Sequence, residues 1–153
     1  VLDLIKKTRD GKFYNYRAGQ LGPERLRQTA RTAKFFQMFG DEQKDKDILV
    51  VPAQFGLRHR GRSVRRAREV MNASEFGLGA YEVGIMLLIH PERLVAYGDL
   101  GIDCAGDEFA PEASGDFSGA PYFGFVDGGV RFRADWFGGA NERYGSASAF
   151  VSQ

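Results

Sequence analysis

Six arginines lie within eleven residues and form the densest cluster of positive charge in the chain. They are Arg58, Arg60, Arg62, Arg65, Arg66 and Arg68. Ser63 has the residue type of a helix N-cap, so we expect Arg65 and Arg66 in the first turn of a helix. Free amide groups, the positive end of the helix dipole and forked guanidinium groups together favour a phosphate. The segment therefore predicts a module that binds nucleic acid or another phosphate-bearing ligand, with Phe55 and Phe76 as candidate stacking partners for bases.

Charge is distributed unevenly along the chain, which gives the arginines a second interpretation. Residues 1–98 carry 18 Lys/Arg and 11 Asp/Glu, whereas residues 99–153 carry 3 and 9. The basic and acidic parts can attract each other inside the fold, and charge clusters most often form a solvated face or such pairs. Between two molecules, the same attraction would pair the basic part of one with the acidic part of the other, head to tail. The sequence therefore also predicts, as an alternative, a protein–protein interaction module.

Carboxylates recur at short intervals over residues 99–116 and form a second candidate site. They are Asp99, Asp103, Asp107, Glu108, Glu112 and Asp116. Glycines and Pro111 exclude a continuous helix there, so these side chains come from strand ends and loops. Asp103, Asp107 and Glu108 are candidate ligands for Mg²⁺ or Mn²⁺, which would activate water for phosphodiester hydrolysis. This pattern predicts a metal-dependent phosphodiesterase or nuclease, with loop solvation or pairing to arginines as the alternative.

Other reactive side chains are few. Cys104 is a candidate nucleophile with His90 as its base, although a lone cysteine beside Ile102 is more typical of the core. One cysteine allows no intrachain disulfide, which favours a reducing, cytoplasmic compartment. The apolar run over 83–89 is far shorter than the roughly 20 residues that cross a bilayer, and the first residues do not resemble a signal peptide. We therefore expect no membrane association.

Hydrophobic periodicity and cap residues predict the elements that position these groups. The predicted elements are a helix over 23–39, a buried strand over 48–51, a helix that starts after Ser63, a helix that follows Ser74 and runs to residue 89, and a further helix start at Pro91. Gly77, Ala80 and Gly84 form a stripe of small residues, which indicates close approach by another backbone.

The clearest local motif is a β-hairpin. Its strands cover 122–126 and 130–136, around the turn Asp127-Gly128-Gly129, whose residue types tolerate positive φ. Alternation places Val130, Phe132, Ala134 and Trp136 on one face and Arg131, Arg133 and Asp135 on the other. We expect the aromatic side chains of this part, including Tyr122 and Tyr144, in the core.

The composition, with 43% hydrophobic and 27% charged residues among 153, is that of one globular domain. Helices come early and strands late, which predicts an α+β fold with N-terminal helices and a buried strand packed on a C-terminal antiparallel β-hairpin or sheet. In this single domain, residues 1–98 form the basic, helix-rich part and residues 99–153 the acidic, glycine-rich part with the hairpin. Because the formal net charge is only +1, any binding of nucleic acid must come from a local surface.

Overall fold

The computed structural model describes residues 1–48, 50–113 and 115–151. Its helices are α1 (Leu2–Thr8), α2 (Ala30–Glu42), α3 (Val64–Val70) and α4 (Ala80–Ile89), with a 3-10 turn at Leu57–His59. Its strands are β1 (Phe13–Asn15), β2 (Leu26–Gln28), β3 (Ala53–Gln54), β4 (Glu75–Gly77), β5 (Gly101–Asp103), β6 (Asp107–Phe109), β7 (Gly119–Val126), β8 (Gly129–Trp136), β9 (Tyr144–Ser146) and β10 (Ser148–Phe150). These elements form a single α+β fold, which confirms the predicted class. Over the described ranges, no helix has the length and apolar character needed to cross a bilayer.

Seven strands form the larger sheet. The order along its main path is β1-β8-β7-β5-β9, with β6 also beside β7 and β2 beside β6. Two pairings, β1 with β8 and β5 with β9, are parallel, and the others are antiparallel. The sheet is therefore mixed, with the predicted antiparallel hairpin at its centre. A second, antiparallel sheet has the order β3-β10-β4.

The central hairpin is formed by β7 and β8, as the sequence predicts. Asp127 and Gly128 both have positive φ, 50° and 76°. This conformation matches the right-handed twist of two strands joined by a two-residue turn. Val130 and Phe132 are buried, whereas Trp136 at the end of β8 is 59% exposed. The predicted alternation therefore holds along most of β8 and ends at the tryptophan.

One face of the larger sheet is buried against α1 and α4. Phe123 and Phe132 lie at its centre with their ring centroids 4.8 Å apart. Ile5 of α1 and Leu87 of α4 belong to the same buried cluster. Burial of each such side chain contributes roughly 1.5–3 kcal/mol to the free energy of unfolding, so this layer holds the sheet in place.

The opposite face of the larger sheet is only partly covered. Val64 and Ala67 of α3 pack with Ala120 of β7 in a second, smaller buried cluster. Successive side chains of a strand point to opposite faces, so Ala120 and Tyr122 lie on the face turned away from Phe123. Helix α3 thus covers one end of this face and leaves the rest accessible.

The helix predicted over 23–39 begins later than the sequence pattern indicates. Leu26–Gln28 form β2, which pairs with β6 in the register Leu26 to Phe109. Thr29 is the N-cap of α2, and its side chain accepts a hydrogen bond from the Thr32 amide at 3.2 Å. The prediction is wrong at the N-terminal end of this helix. Residues 26–28 favour a helix locally, but they form a strand because they pair with a strand some 80 residues away in the sequence.

Three further predicted boundaries are corrected by the structure. The prediction of a buried strand over 48–51 is wrong, since Ile48 and Val50 are each 76% exposed. Leu49 lies outside the described residues. The helix predicted to follow Ser74 starts only at Ala80, because residues 75–77 form β4 against β10. At Pro91 the chain makes a turn rather than a helix.

Candidate functional site

The 58–68 arginine cluster is largely engaged by the rest of the chain. Arg68 Nε donates to the Ala105 carbonyl at 2.9 Å, and its Nη2 donates to the Asp107 carbonyl at 2.6 Å. Arg60 Nε donates to the Glu142 carbonyl at 2.9 Å. These three partners lie in the acidic part of the chain. Arg60 and Arg68 thus contact the acidic part of the chain through its main-chain carbonyls and not through its carboxylates.

The start of α3 does not offer the free amide groups expected of a phosphate site. Ser63 caps the helix as predicted, and its hydroxyl oxygen accepts from the Arg66 amide at 3.2 Å. The Arg65 amide donates to the Phe137 carbonyl at 3.0 Å. The Arg66 side chain forms an exposed ion pair with Glu69 at 3.0 Å. Two first-turn amides are therefore already occupied by protein acceptors.

A buried polar network contacts two arginines of the cluster, Arg58 and Arg62. The carboxylate of Glu75, fully buried, lies 2.7 Å from His59 Nε2 and accepts from Ser148 Oγ at 2.7 Å. Arg58 Nε donates to its other oxygen at 3.2 Å, and Arg62 Nη1 lies 3.1 Å from His59 Nδ1. Burial alone raises the pKa of Glu75, but these hydrogen bonds and positive charges outweigh it and lower the pKa. Arg58 and Arg62 thus contribute to a structural network.

The two proposed stacking partners do not flank a phosphate site. Phe76 is completely buried and stacks on Phe35 of α2 with ring centroids 4.8 Å apart. Phe55 is partly buried and makes an edge contact with His90 at 5.6 Å. Both rings belong to the packing of the fold, which corrects the expectation that they stack on bases.

The three predicted metal ligands point to different surroundings. Asp107 Oδ2 accepts from the Ala80 amide at 2.7 Å, at the start of α4. Glu108 pairs with Arg27 at 2.9 Å, and Asp103 lines a cavity described below. Among the residues that the structure describes, no group of three or more His, Cys, Asp or Glu side chains is arranged to hold a metal ion. The geometry thus does not assemble the Mg²⁺ or Mn²⁺ site from these residues.

Cys104 and His90 do not form a catalytic pair. Cys104 is completely buried, which confirms its prediction as a core residue. Burial, together with the nearby carboxylates of Asp107, Asp103 and Glu82, raises the pKa of its thiol well above the usual value. His90 lies at the end of α4, where its Nδ1 is 3.0 Å from Glu92. A neutral, enclosed thiol is a poor nucleophile.

Tyrosine and arginine side chains occupy the accessible face of the larger sheet. We call this surface the open face and define it by Tyr14, Tyr16, Tyr122, Arg131, Arg133 and Tyr144. Strand register places them together, since Tyr14 of β1 pairs with Arg131 of β8, and Tyr122 of β7 pairs with Arg133. Tyr14 and Tyr16 are 46% and 48% exposed. The open face therefore presents the exposed Tyr14, Tyr16 and Arg133 side by side, while the Arg131 side chain is largely buried and pairs with Asp127.

Glycines allow the rings of the open face to lie against the backbone. A Cβ added to Gly101 would lie 2.3 Å from the Tyr144 ring, and one added to Gly124 would lie 2.8 Å from the Tyr144 hydroxyl. A Cβ on Gly129 would lie 2.7 Å from the Tyr14 ring. Any larger residue at these positions would lift the rings off the sheet. Part of the chain's high glycine content thus lets the Tyr14 and Tyr144 rings lie close to the sheet.

Close contacts order the side chains within the open face. The guanidinium carbons of Arg133 and Arg131 lie 4.9 and 5.6 Å from the centre of the Tyr16 ring. Tyr122 and Tyr144 meet edge to face with centroids 5.2 Å apart. Each cation–π contact of this kind contributes roughly 0.5–1 kcal/mol at an exposed site. The surface is therefore partly organised before any ligand binds.

A cavity of about 350 Å³ lies at the end of the open face next to α3. Its lining residues are Val64, Asp103, Ala120, Tyr122, Asp135, Trp136, Phe137, Gly139, Ala140, Asn141 and Tyr144. Burial raises the pKa of the Asp103 carboxyl to about 7. A carboxyl with a shifted pKa in an aromatic-walled cavity is a common feature of functional sites.

Sequence reasoning missed the open face, although one signal was present. In residues 13–16, Phe-Tyr-Asn-Tyr, the buried Phe13 alternates with exposed tyrosines, as in a half-buried strand. Tyr122 and Tyr144 were expected in the core, but both are only partly buried on this face. The predicted placement of Arg131 and Arg133 on the face opposite Val130 and Phe132 is confirmed by the register of β8.

Comparison of the chain with protein families, with curated proteins and with solved structures finds no match. The open face and its cavity are therefore interpreted from their own geometry.

Proposed function

We propose that this protein binds single-stranded nucleic acid on the open face. The observation that carries the proposal is that the exposed Tyr14 and Tyr16 and the partly buried Tyr122 lie beside Arg131 and Arg133 across adjacent strands of one accessible sheet face. Aromatic rings offer stacking platforms to unpaired bases of any sequence, and guanidinium groups contact the phosphates between them. The single, buried thiol of Cys104 is compatible with action in the reducing cytoplasm, where we place this function.

The tyrosine rings of the open face favour single strands over duplexes. Bases in a duplex are stacked on one another and present only their edges, whereas the unpaired bases of a single strand have free faces that can stack on the rings of Tyr14 and Tyr144. Gly101 and Gly129 hold these rings close to the sheet. An extended single strand can lay successive bases on such a surface.

Exposed arginines next to the open face extend the proposed path of the strand. The Gly61 amide donates to the Tyr144 carbonyl at 2.9 Å, so the 58–68 segment runs directly beside β9. Arg60, Arg62, Arg65 and Arg66 are exposed there and supply positive charge at this edge. In this proposal they attract phosphates without forming a closed phosphate site.

Fluorescence anisotropy with labelled single strands tests the proposal. We expect labelled oligo(dT) to bind, with an affinity that falls as salt concentration rises by a log–log slope of about −0.7 per phosphate contacted. Tyr16→Ala should weaken binding by about 5- to 150-fold, the equivalent of roughly 1–3 kcal/mol for one stacked base. Arg133→Ala should make the salt slope shallower by about 0.7.

Matched variants on the other side of the molecule serve as controls. Tyr81, on α4, is 64% exposed, and Lys7 of α1 is also exposed, and both helices pack on the opposite face of the sheet. Tyr81→Ala and Lys7→Ala should leave the affinity for oligo(dT) unchanged. The proposal is wrong if wild-type protein does not bind single strands, if it binds a duplex equally well, or if the controls lose as much affinity as Tyr16→Ala.

A further inference from the structure

The cavity beside α3 is lined by aromatic residues from three strands of the larger sheet. In the strand order β8-β7-β5-β9, Trp136 comes from β8 on one side and Tyr144 from β9 on the other. Asp103 of β5 and Tyr122 of β7 lie between them. The volume of about 350 Å³ is at the lower end of small-molecule sites, which suits a group the size of a nucleobase with its sugar.

The polar groups of the cavity leave hydrogen-bonding capacity for a ligand. Across the described ranges, no hydrogen bond joins the Asp103 carboxyl to another residue, although the side chain is mostly buried. Asn141 Oδ1 accepts from the Arg143 amide at 2.9 Å, which leaves the Asn141 amino group to donate. Asp135 Oδ1 accepts from the Trp136 amide at 2.7 Å. A carboxylate acceptor and an amide donor therefore line one cavity.

We propose that this cavity binds an unstacked guanine base of the nucleic acid, a step that rests on the function proposed above. The N1–H and the amino group of guanine are adjacent donors, and both can donate to the two oxygens of Asp103. The O6 atom of guanine can accept from the amino group of Asn141. Tyr122, Tyr144 and Trp136 supply the aromatic walls that hold a base removed from its stack.

Other bases present the wrong groups to an ionised carboxylate. Adenine and cytosine each place an acceptor nitrogen beside their amino group, and that nitrogen would face a carboxylate oxygen without a proton between them. Uracil places a carbonyl on each side of its only N–H. Selectivity in this site would therefore come from repulsion of these bases as well as from attraction of guanine.

Calorimetric titration with the four nucleoside monophosphates tests the inference. At about pH 8, where the Asp103 carboxyl with its pKa of about 7 is mostly ionised, we expect the wild-type protein to bind guanosine monophosphate about 5- to 150-fold more tightly than adenosine monophosphate. Asp103→Asn should reverse this preference, because an amide pairs with the donor and acceptor of adenine. Asp47→Asn, at an exposed carboxylate, should leave the preference unchanged. A reversal would not follow from a merely structural role of Asp103.

Oligo(dT), which contains no guanine, separates this inference from the proposed function. Wild-type protein is expected to bind oligo(dT) through the open face without use of the cavity. If oligo(dT) binds and the four monophosphates are not discriminated, the guanine site is wrong and the open face stands. If guanosine monophosphate is preferred and oligo(dT) does not bind, the proposed function is wrong and the cavity is a mononucleotide site.

Discussion

Replacement of Asp103 by asparagine should stabilise the protein at neutral and alkaline pH. In the fold, burial raises the pKa of the Asp103 carboxyl to about 7, whereas an aspartate in an unfolded chain has a pKa of about 3.9. Between these two values the folded state holds a proton that the unfolded state has lost. The free energy of unfolding of the wild type therefore decreases as pH rises from about 4 to about 7.

The size of this effect follows from the difference between the two pKa values. At 1.36 kcal/mol for each pH unit, the gap of about 3 units corresponds to about 4 kcal/mol. Water in the open cavity screens the carboxylate, so this value is an upper limit. Asparagine keeps the shape of the side chain and carries no charge at any pH. The free energy of unfolding of Asp103→Asn, measured relative to that of the wild type, should therefore be larger at pH 8 than at pH 4.

Urea denaturation of the wild type and of Asp103→Asn at both pH values measures the effect. The informative quantity is the difference in free energy of unfolding between the two proteins at pH 8 minus the same difference at pH 4. This subtraction cancels any effect of the substitution on packing, which is the same at both pH values. It also removes the titration of Asp107, whose pKa is raised to about 7 chiefly by burial and is present in both proteins. The charged and titratable groups around the site, namely Tyr122, Tyr144, Asp135, Arg131, Arg133 and Arg17, are likewise common to both. Equal differences at the two pH values would refute the desolvation of Asp103.

Three further predictions concern the interior. Glu75→Gln should lower the free energy of unfolding by about 3 kcal/mol at pH 7, measured by urea denaturation, because it breaks a buried ionic network. As the pKa of Glu75 is lowered in the fold, this loss should shrink as pH falls through that pKa, and a loss independent of pH would contradict it. Arg68→Ala should cost about 2–4 kcal/mol in thermal denaturation, because two backbone carbonyls lose a charged donor, whereas the exposed Arg66→Ala should change stability by less than about 0.5 kcal/mol. The Cys104 thiol should react with Ellman's reagent only after unfolding, and rapid reaction of the native protein would argue against its burial.

Local sequence signals predict the elements whose stabilising contacts are local. The hairpin turn at Asp127 and Gly128 requires positive φ, and the Ser63 cap satisfies an amide three residues away. Both are visible in the sequence and both are confirmed. By contrast, the start of α2 depends on the pairing of β2 with β6, and the short strand β3 forms at Ala53 and Gln54, where β10 supplies a partner. No periodicity within the segment encodes these distant partners.

The candidate site was predictable only in part for the same reason. The composition of the arginine cluster is evident from the sequence, but its partners, such as the Ala105 carbonyl for Arg68, are distant along the chain. The open face combines side chains from β1, β7, β8 and β9, and β1 and β9 are only three residues long. Strands this short carry too little alternation to assign a face to Tyr14 or Tyr144 before their pairing is known.

The open face holds two features that reduce stability, and our proposal that it binds a ligand accounts for both. Glycine within a strand loses more conformational freedom on folding than other residues, at a cost of roughly 0.5–1 kcal/mol each. Gly101 and Gly124 each carry this cost, and their lack of a side chain lets the Tyr144 ring lie close to the sheet. Asp103 adds the cost of a mostly buried carboxyl with a raised pKa. Local features that oppose stability concentrate where a protein binds or reacts. Arg68 and Arg58, in contrast, stabilise the fold through their contacts. We therefore propose that the open face and its cavity bind the ligand, and that the arginine cluster contributes only positive charge nearby.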